Sequence, residues 1–403
     1  MTDITNGFIV IFKKGISFVL EIQSMRILIF HNLLWSQYKS VVFEKVAEIC
    51  VENQDELLVI ETTITEAGRE DLVDFDLSTY PYKFPVKLLS TKPLQHISQW
   101  KVGFEWFKVI LQFKPDVINF TGYAEAAALP TLLLCKLLGI KTIMTIESVR
   151  NQSEKQGGII HLCKSIIKSA IFKLTTGFFS YGINSNQFLF RSGVAKKKIL
   201  SFLNSFDKIK FKQQLGHEIS NPLVPNNQPY LLYVGRLSEE KNLLELLNLM
   251  KELPYTLKMA GNGPLYDELQ EKIQREQIVN VYLLGTVAWS ELADLYKNAS
   301  SLVLVSTSET WGMVANEAQE LGKPVICTEA CGCANDLIID GFNGLVIKRL
   351  DDSTERERIK HFLDELPLNT VKYHENSLRN SKIFEVDKLA REMYQGFRKL
   401  TIN

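Results

Sequence analysis

At 403 residues the chain exceeds what one compact core ordinarily supports, and it suits two domains with a cleft between them. Its 46% hydrophobic and 23% charged residues are the make-up of a globular protein, and 46 Lys plus Arg against 46 Asp plus Glu exclude a global field that would recruit nucleic acid. No apolar run reaches the roughly 18 residues that a membrane-spanning helix requires; Gly7 to Leu20 comes nearest and is broken by Lys13 and Lys14.

Met25 stands directly before the first β-rich run, so residues 1–24 read as an N-terminal extension outside the fold. Over 25–210, short apolar runs alternate with longer helical stretches: Arg26 to His31, Leu57 to Thr62, Phe84 to Leu89, Asp116 to Thr121, Lys141 to Glu147, Gly177 to Tyr181 and Ile199 to Leu203. This alternation predicts βαβ units on a parallel sheet covered on both faces, hence an α/β, Rossmann-like domain. Residues 211–229 turn polar and carry Pro222, Pro225 and Pro229, as an exposed linker or domain edge would.

A second series follows at Tyr230 to Gly235, Thr256 to Ala260, Val281 to Gly285, Leu302 to Ser306, Pro324 to Thr328 and Gly344 to Ile347, which places another doubly wound domain over 211–385. In 386–403, Leu389, Met393, Tyr394 and Phe397 recur at helical spacing, predicting a terminal helix that packs back on the first domain. Two such domains in tandem turn the carboxyl ends of their sheets toward one crevice, where open α/β sheets bind ligands.

The six cysteines, Cys50, Cys135, Cys163, Cys327, Cys331 and Cys333, have neither the density of a disulfide scaffold nor the paired knuckles of a zinc site. Reduced thiols in the cytoplasm are the simple reading. Asp74-Phe75-Asp76 has the form of a metal-binding pair of carboxylates, but it sits in acidic loop sequence and reads as a solvated turn, so no metal is expected.

Three motifs of the second domain lie at strand carboxyl ends. Strand Tyr230 to Val234 runs into Gly235-Arg236-Leu237-Ser238-Glu239-Glu240-Lys241, where a glycine permits close backbone approach and two cations can converge on one diphosphate. A solvated loop would look the same. Gly261-Asn262-Gly263 ends another strand in a turn before a helix, which either needs positive φ alone or admits a ligand. In Glu309-Thr310-Trp311-Gly312-Met313-Val314-Ala315-Asn316-Glu317 two glutamates flank a helix start. Backbone amides near Gly312 to Val314 would point at an anion and the Glu317 carboxylate can accept both hydroxyls of a ribose, unless Glu309 is a plain cap and Glu317 a surface residue.

These segments, together with Gly322-Lys323-Pro324-Val325-Ile326, Gly332-Cys333-Ala334-Asn335-Asp336 and Asn343-Gly344-Leu345-Val346, resemble the retaining family-4 glycosyltransferases in order and spacing, from about Val194 to Ile347. The resemblance implies a GT-B fold whose second domain holds a sugar nucleotide, UDP- or GDP-linked, with no other cofactor. It implies that Arg236 and Lys241 grip the diphosphate and Glu317 the ribose, while Glu309, Thr310 and the amides of Trp311, Gly312, Met313 and Val314 meet the sugar and distal phosphate. Val287 resembles the position beside the nucleobase, and Gly235, Gly261, Asn262 and Gly263 complete the donor site. The cations and a helix N-terminus would then stabilise the departing diphosphate in place of a metal, and the product would keep the donor's anomeric configuration.

Members of the family often carry a histidine after the strand matching Lys141 to Ile146, where this chain has Glu147-Ser148-Val149-Arg150. Glu147 is thus a candidate acid/base or sugar-binding residue, or a structural one, and Arg150 a candidate acceptor ligand. The glycine-rich loop of many relatives is absent after the first strand. Instead Trp35 or Tyr38 could stack on a sugar acceptor while Asn32 and Gln37 read hydroxyls, or Trp35 is simply buried.

Ile159 to Phe172 carries Lys164 and Lys168 on a mostly apolar helix. A core helix with a solvated edge is the ordinary reading, and a peripheral face toward the inner side of a membrane, for a lipid-linked acceptor, is the alternative. The expected partners are accordingly a nucleotide-sugar donor and a glycan or lipid-linked acceptor, with surface polysaccharide or glycolipid synthesis as the setting. A silent GT-B subunit that binds a glycan or partner, and a sugar-nucleotide epimerase or hydrolase, stand as the competing readings.

Overall fold

The computed structural model describes residues 2–5, 8–13, 16–21, 24–33, 37–64, 82–123, 125–147, 159–215 and 229–401. At the N-terminus β1 (Thr2–Thr5), β2 (Phe8–Lys13) and β3 (Ile16–Glu21) pair as an antiparallel meander that joins neither of the larger sheets. What the sequence suggested was a bare extension thus carries a small sheet of its own.

The first large sheet contains β4 (Arg26–Leu33), β5 (Glu56–Thr63), β6 (Val86–Leu88), β7 (Val117–Thr121), β8 (Lys141–Ile146), β9 (Gly177–Tyr181) and β10 (Ile199–Phe202). All pairings are parallel, in the order β10-β9-β8-β7-β4-β5-β6. Strand β4 can occupy the middle because it is apolar on both sides, with Ile27 and Ile29 in one core and Leu28 and Phe30 in the other. On the first side lies α1 (Gln37–Glu52), through Val42, Phe43 and Val46. The second side is covered by α2 (Gln99–Phe113), α3 (Ala128–Leu137), α4 (Ile159–Leu174) and α5 (Gly182–Arg191), whose Trp106, Leu132, Phe172 and Phe188 share one cluster with Phe30 and Phe178.

The short α6 (Lys208–Lys212) leads out of this domain. The second sheet, also wholly parallel, comprises β11 (Tyr230–Val234), β12 (Thr256–Ala260), β13 (Val281–Gly285), β14 (Ser301–Leu304), β15 (Val325–Thr328) and β16 (Gly344–Ile347), in the order β13-β12-β11-β14-β15-β16. Its helices are α7 (Leu243–Met250), α8 (Tyr266–Arg275), α9 (Trp289–Asn298), α10 (Met313–Glu320), α11 (Ser353–Glu365) and α12 (Thr370–Ser381). In each sheet the winding reverses once, between β4 and β7 and between β11 and β14, and a crevice opens beyond the strand ends at each reversal.

The chain then returns. Helix α13 (Val386–Thr401) lays Leu389, Ala390, Met393 and Phe397 against the first domain, where Phe397 meets Phe179 edge-on with centroids 5.2 Å apart. Gly396 is required there, since a Cβ would come 2.5 Å from the Phe179 ring. Buried Asp55 fastens the return by accepting from the Met25 amide (2.8 Å), the Tyr394 hydroxyl (2.7 Å) and the Arg398 guanidinium (2.9 Å).

Candidate functional site

The carboxyl ends of the two sheets face each other and are joined across the crevice by single polar bonds. Beyond β9, the amide of Ile183 donates to Asp336 at 2.6 Å, and Asn184 Nδ2 to the carbonyl of Cys331 at 3.1 Å. Beyond β4, the Tyr38 hydroxyl donates to Glu317 at 2.7 Å, and beyond β10 the carbonyl of Asn204 accepts from Asn316 Nδ2 at 3.2 Å. Both Asp336 and Glu317 have their carboxyls pushed up by burial, an effect that the bonds they accept offset in part.

At the switch point of the second sheet the loops after β11 and β14 meet. The Thr307 amide donates to the Glu240 carbonyl at 2.8 Å, and the Lys241 ammonium pairs with the Glu309 carboxylate, both side chains mostly buried. Arg236 is exposed beside them, its carbonyl held at 2.7 Å by the Tyr233 hydroxyl. Two cations therefore belong to the loop after β11, and the carboxylate that pairs with Lys241 belongs to the loop after β14.

Gly261 and Gly263 have a structural duty that their motif did not reveal. A Cβ on Gly261 would come 1.9 Å from the Gly235 carbonyl oxygen, and one on Gly263 would come 2.5 Å from that of Leu237. The two loops are laced by backbone bonds from Gly235 N to Ala260 O (3.0 Å), Leu237 N to Asn262 O (3.0 Å) and Leu265 N to Leu237 O (2.9 Å). The glycines let one loop lie on the other, and that contact holds Arg236 in place.

Helix α10 starts at Gly312, whose φ of 91° and nearness to Leu304 both demand glycine. Its first-turn amides, over Met313 and Val314, have no acceptor within the helix. The Trp311 side chain is buried, donates through Nε1 to Asn316 at 2.7 Å and packs on Phe384, while its carbonyl accepts from the Cys333 amide at 2.9 Å. Thr310 is exposed, and Val287 is half-buried against the first core.

Glu317 is only 2% exposed, and one oxygen accepts from Tyr38 while the other accepts from the Tyr296 hydroxyl at 2.7 Å. Both phenols are pushed up by burial and, after that, by the carboxylate. The surface-residue alternative for Glu317 thus fails in favour of an interior carboxylate. Tyr38, weighed as a ring for an acceptor sugar, spends its hydroxyl on the residue assigned to ribose.

On the first domain, Glu147 ends β8 and pairs at 2.5 Å with Lys39, whose ammonium also sits 4.0 Å over the Tyr181 ring. Burial pulls Lys39 down, but Glu147 and Tyr181 outweigh it and hold the ammonium raised. Asn32 is half-buried at the end of β4. Trp35, Arg150, Asp74 and Asp76, like the side chain of Gln37, lie outside the described residues. Among the described residues no cluster of three or more His, Cys, Asp or Glu is placed to hold a metal ion.

Lys39, Tyr296 and Asn184 escaped sequence reasoning, and Asp336 entered it only as part of the Gly332 to Asp336 segment. Nothing local marks them, since each gains its place from a partner far along the chain or across the crevice.

Two doubly wound parallel domains with facing strand ends define the GT-B class. A crystal structure of Anabaena HepE in complex with UDP has this fold, with a TM-score of 0.68 at 17% identity over 93% of this chain and 100% of that one. Residues 217–376, within the second domain, match the family Glycosyl transferases group 1. An uncharacterized glycosyltransferase of Methanocaldococcus jannaschii is 31% identical over 157 residues, 39% of this chain and 44% of that protein. The chain thus spans less than half the length of that curated relative. A capsular polysaccharide biosynthesis glycosyltransferase, CapM of Staphylococcus aureus, is 24% identical over 314 residues, 72% of this chain and 80% of that protein.

Proposed function

We propose that the chain transfers a sugar from a nucleoside diphosphate to an acceptor hydroxyl, with retention of configuration and without a divalent cation. What supports this reading is the pairing of Lys241, from the loop after β11 that also carries Arg236, with Glu309 just before α10, and the interior Glu317 carboxylate within that helix. A diphosphate entering there replaces Glu309 as the partner of Lys241 and gains the Arg236 guanidinium. Glu309 is released toward the sugar, and Glu317 takes the ribose hydroxyls.

In the transfer the bond from the anomeric carbon to the distal phosphate oxygen breaks as that carbon bonds to the acceptor oxygen. The acceptor proton passes to the departing phosphate. Charge collects on the leaving diphosphate, and preorganised cations and amides lower the barrier by being in position beforehand. The acceptor enters from the first domain, past Asn32, Tyr38 and Glu147. The names of the relatives favour a glycan or lipid-linked acceptor in surface polysaccharide or glycolipid synthesis.

The test is a panel of UDP- and GDP-sugars scored by thermal shift and by nucleotide release, repeated in EDTA. Stabilisation by at least one donor, and turnover that survives the chelator, are expected. No stabilisation by any donor overturns the transferase reading, and turnover abolished by EDTA overturns its metal-free form.

A further inference from the structure

The first domain keeps a cation at its strand ends that the donor chemistry does not use. Lys39 stands in the first turn of α1, just beyond β4, and its ammonium pairs with Glu147 at the end of β8 and lies over the Tyr181 ring at the end of β9. Its neighbours on both sides reach the second domain. Tyr38, the preceding residue, donates to Glu317, and the Ile183 amide, two residues beyond Tyr181, donates to Asp336. Three strand ends thus bring one ammonium to the place where the domains meet.

The pair is lopsided. The Lys39 side chain is 12% exposed and that of Glu147 36%, whereas in the Lys208–Glu320 pair, which ties α6 to the end of α10, the values are 11% and 8%. Both members of that second pair are inside, as in a fixed staple. At Lys39 the cation is inside and the carboxylate lies at the rim, so the carboxylate can swing out while the ammonium stays. A charge withdrawn from water requires a counter-ion. Glu147 and Tyr181 keep the ammonium protonated against the pull of burial, so whatever takes the place of Glu147 must itself be negative. A neutral hydroxyl would leave the charge uncompensated.

We propose that Lys39 is an anion subsite in the acceptor half of the crevice, and that it binds a carboxylate or phosphate group carried by a sugar, which displaces Glu147. The ligand class is accordingly a uronic acid or a sugar phosphate. Calling that sugar an acceptor rests on the transferase reading, whereas the exchange of anions at Lys39 does not.

Glucuronate, glucose 6-phosphate, glucose and acetate are titrated into the full chain at constant ionic strength, with binding followed by saturation-transfer NMR and by the melting temperature. At least one of the two charged sugars should bind, and glucose about tenfold more weakly, the lower end for a hydrogen bond to a charged group. Which of the two binds identifies the anion. Glu147→Gln vacates the ammonium, so the charged sugar should bind roughly tenfold tighter and raise the melting temperature further than in the unaltered chain. Lys39→Met should lose the preference for charge, and Lys39→Arg should restore it. A cooperative thermal transition in each variant shows that it folds.

Binding of neither charged sugar, glucose bound as well as they are, or a preference that survives in Lys39→Met overturns the proposal. So does an acetate response in Glu147→Gln as large as that of the charged sugars, which would leave an ion hole without room for a ring. A nucleotide-induced thermal shift without binding of a charged sugar counts against the proposal alone. The reverse result counts against the transferase reading alone.

Discussion

Glu317 and Tyr38 make a pair of substitutions with opposite expected effects on nucleotide binding. Glu317 is interior, and its two oxygens are engaged at 2.7 Å by Tyr38 from the first domain and by Tyr296 from the second. Should the carboxylate also receive the ribose, a hydroxyl of the nucleotide must displace the phenol of Tyr38. Glu317→Gln keeps the size and removes the charge, and a hydrogen bond to a charged group contributes about 1.5–3 kcal/mol. Affinity for UDP or GDP should therefore fall about 10- to 150-fold at ~1.4 kcal/mol per decade. Tyr38→Phe keeps the ring but withdraws the competing donor, and the same affinity should rise by roughly tenfold, the lower end of that range. Isothermal titration calorimetry of both proteins with the nucleotide measures the pair. Unchanged affinity in Glu317→Gln, or a loss in Tyr38→Phe equal to that in Glu317→Gln, would refute the assignment of this carboxylate to ribose.

Arg236→Ala and Lys241→Ala should each cost about 1.5–3 kcal/mol of nucleotide affinity, read by the same titration, and a binding constant unmoved by both removes the diphosphate from this strand end. Gly261→Ala drives a methyl group into the Gly235 carbonyl and should destabilise the second domain by about 2–3 kcal/mol; urea unfolding at an unchanged midpoint would show that the loops part without cost. Alkylation under native conditions should modify Cys163 alone, since it is the exposed thiol while the other five are buried, with Cys50 and Cys135 pushed up to about 12 by burial. Peptide mass mapping counts the labels, and rapid labelling of Cys327 or Cys333 would contradict the packing beneath Gly312.

Much of the fold was legible because parallel strands buried on both faces are mostly apolar, and β4, β7, β9 and β11 read that way in the sequence, apart from polar residues such as Asn119 and Ser180. Strand ends were less legible. Phe84 to Leu89 shrinks to Val86–Leu88 because it is an edge strand that pairs only with β5. The antiparallel meander of β1 to β3 went unread, although Asn6-Gly7 between Thr5 and Phe8 is the Asn-Gly signal of a tight hairpin; the second link, Lys14-Gly15, carries no such signal.

At the site, legibility followed distance along the chain. Gly312 could be read because the helix start that needs it follows at once, whereas the partner of Glu309 is Lys241 on the loop after β11. Gly261 could be found as a special position, but not explained, because the carbonyl that forbids a side chain there belongs to Gly235 on the neighbouring strand. Tyr38 and Glu317 lie 279 residues apart, and no local rule joins a tyrosine at one domain's first helix to a glutamate inside the other's. The same holds for Lys39 and Glu147, where burial alone would have lowered the ammonium and the opposing carboxylate, with Tyr181, reverses the sign. Chemistry that depends on two domains closing on each other is written in pairs of residues, while a sequence motif records only one member of each pair.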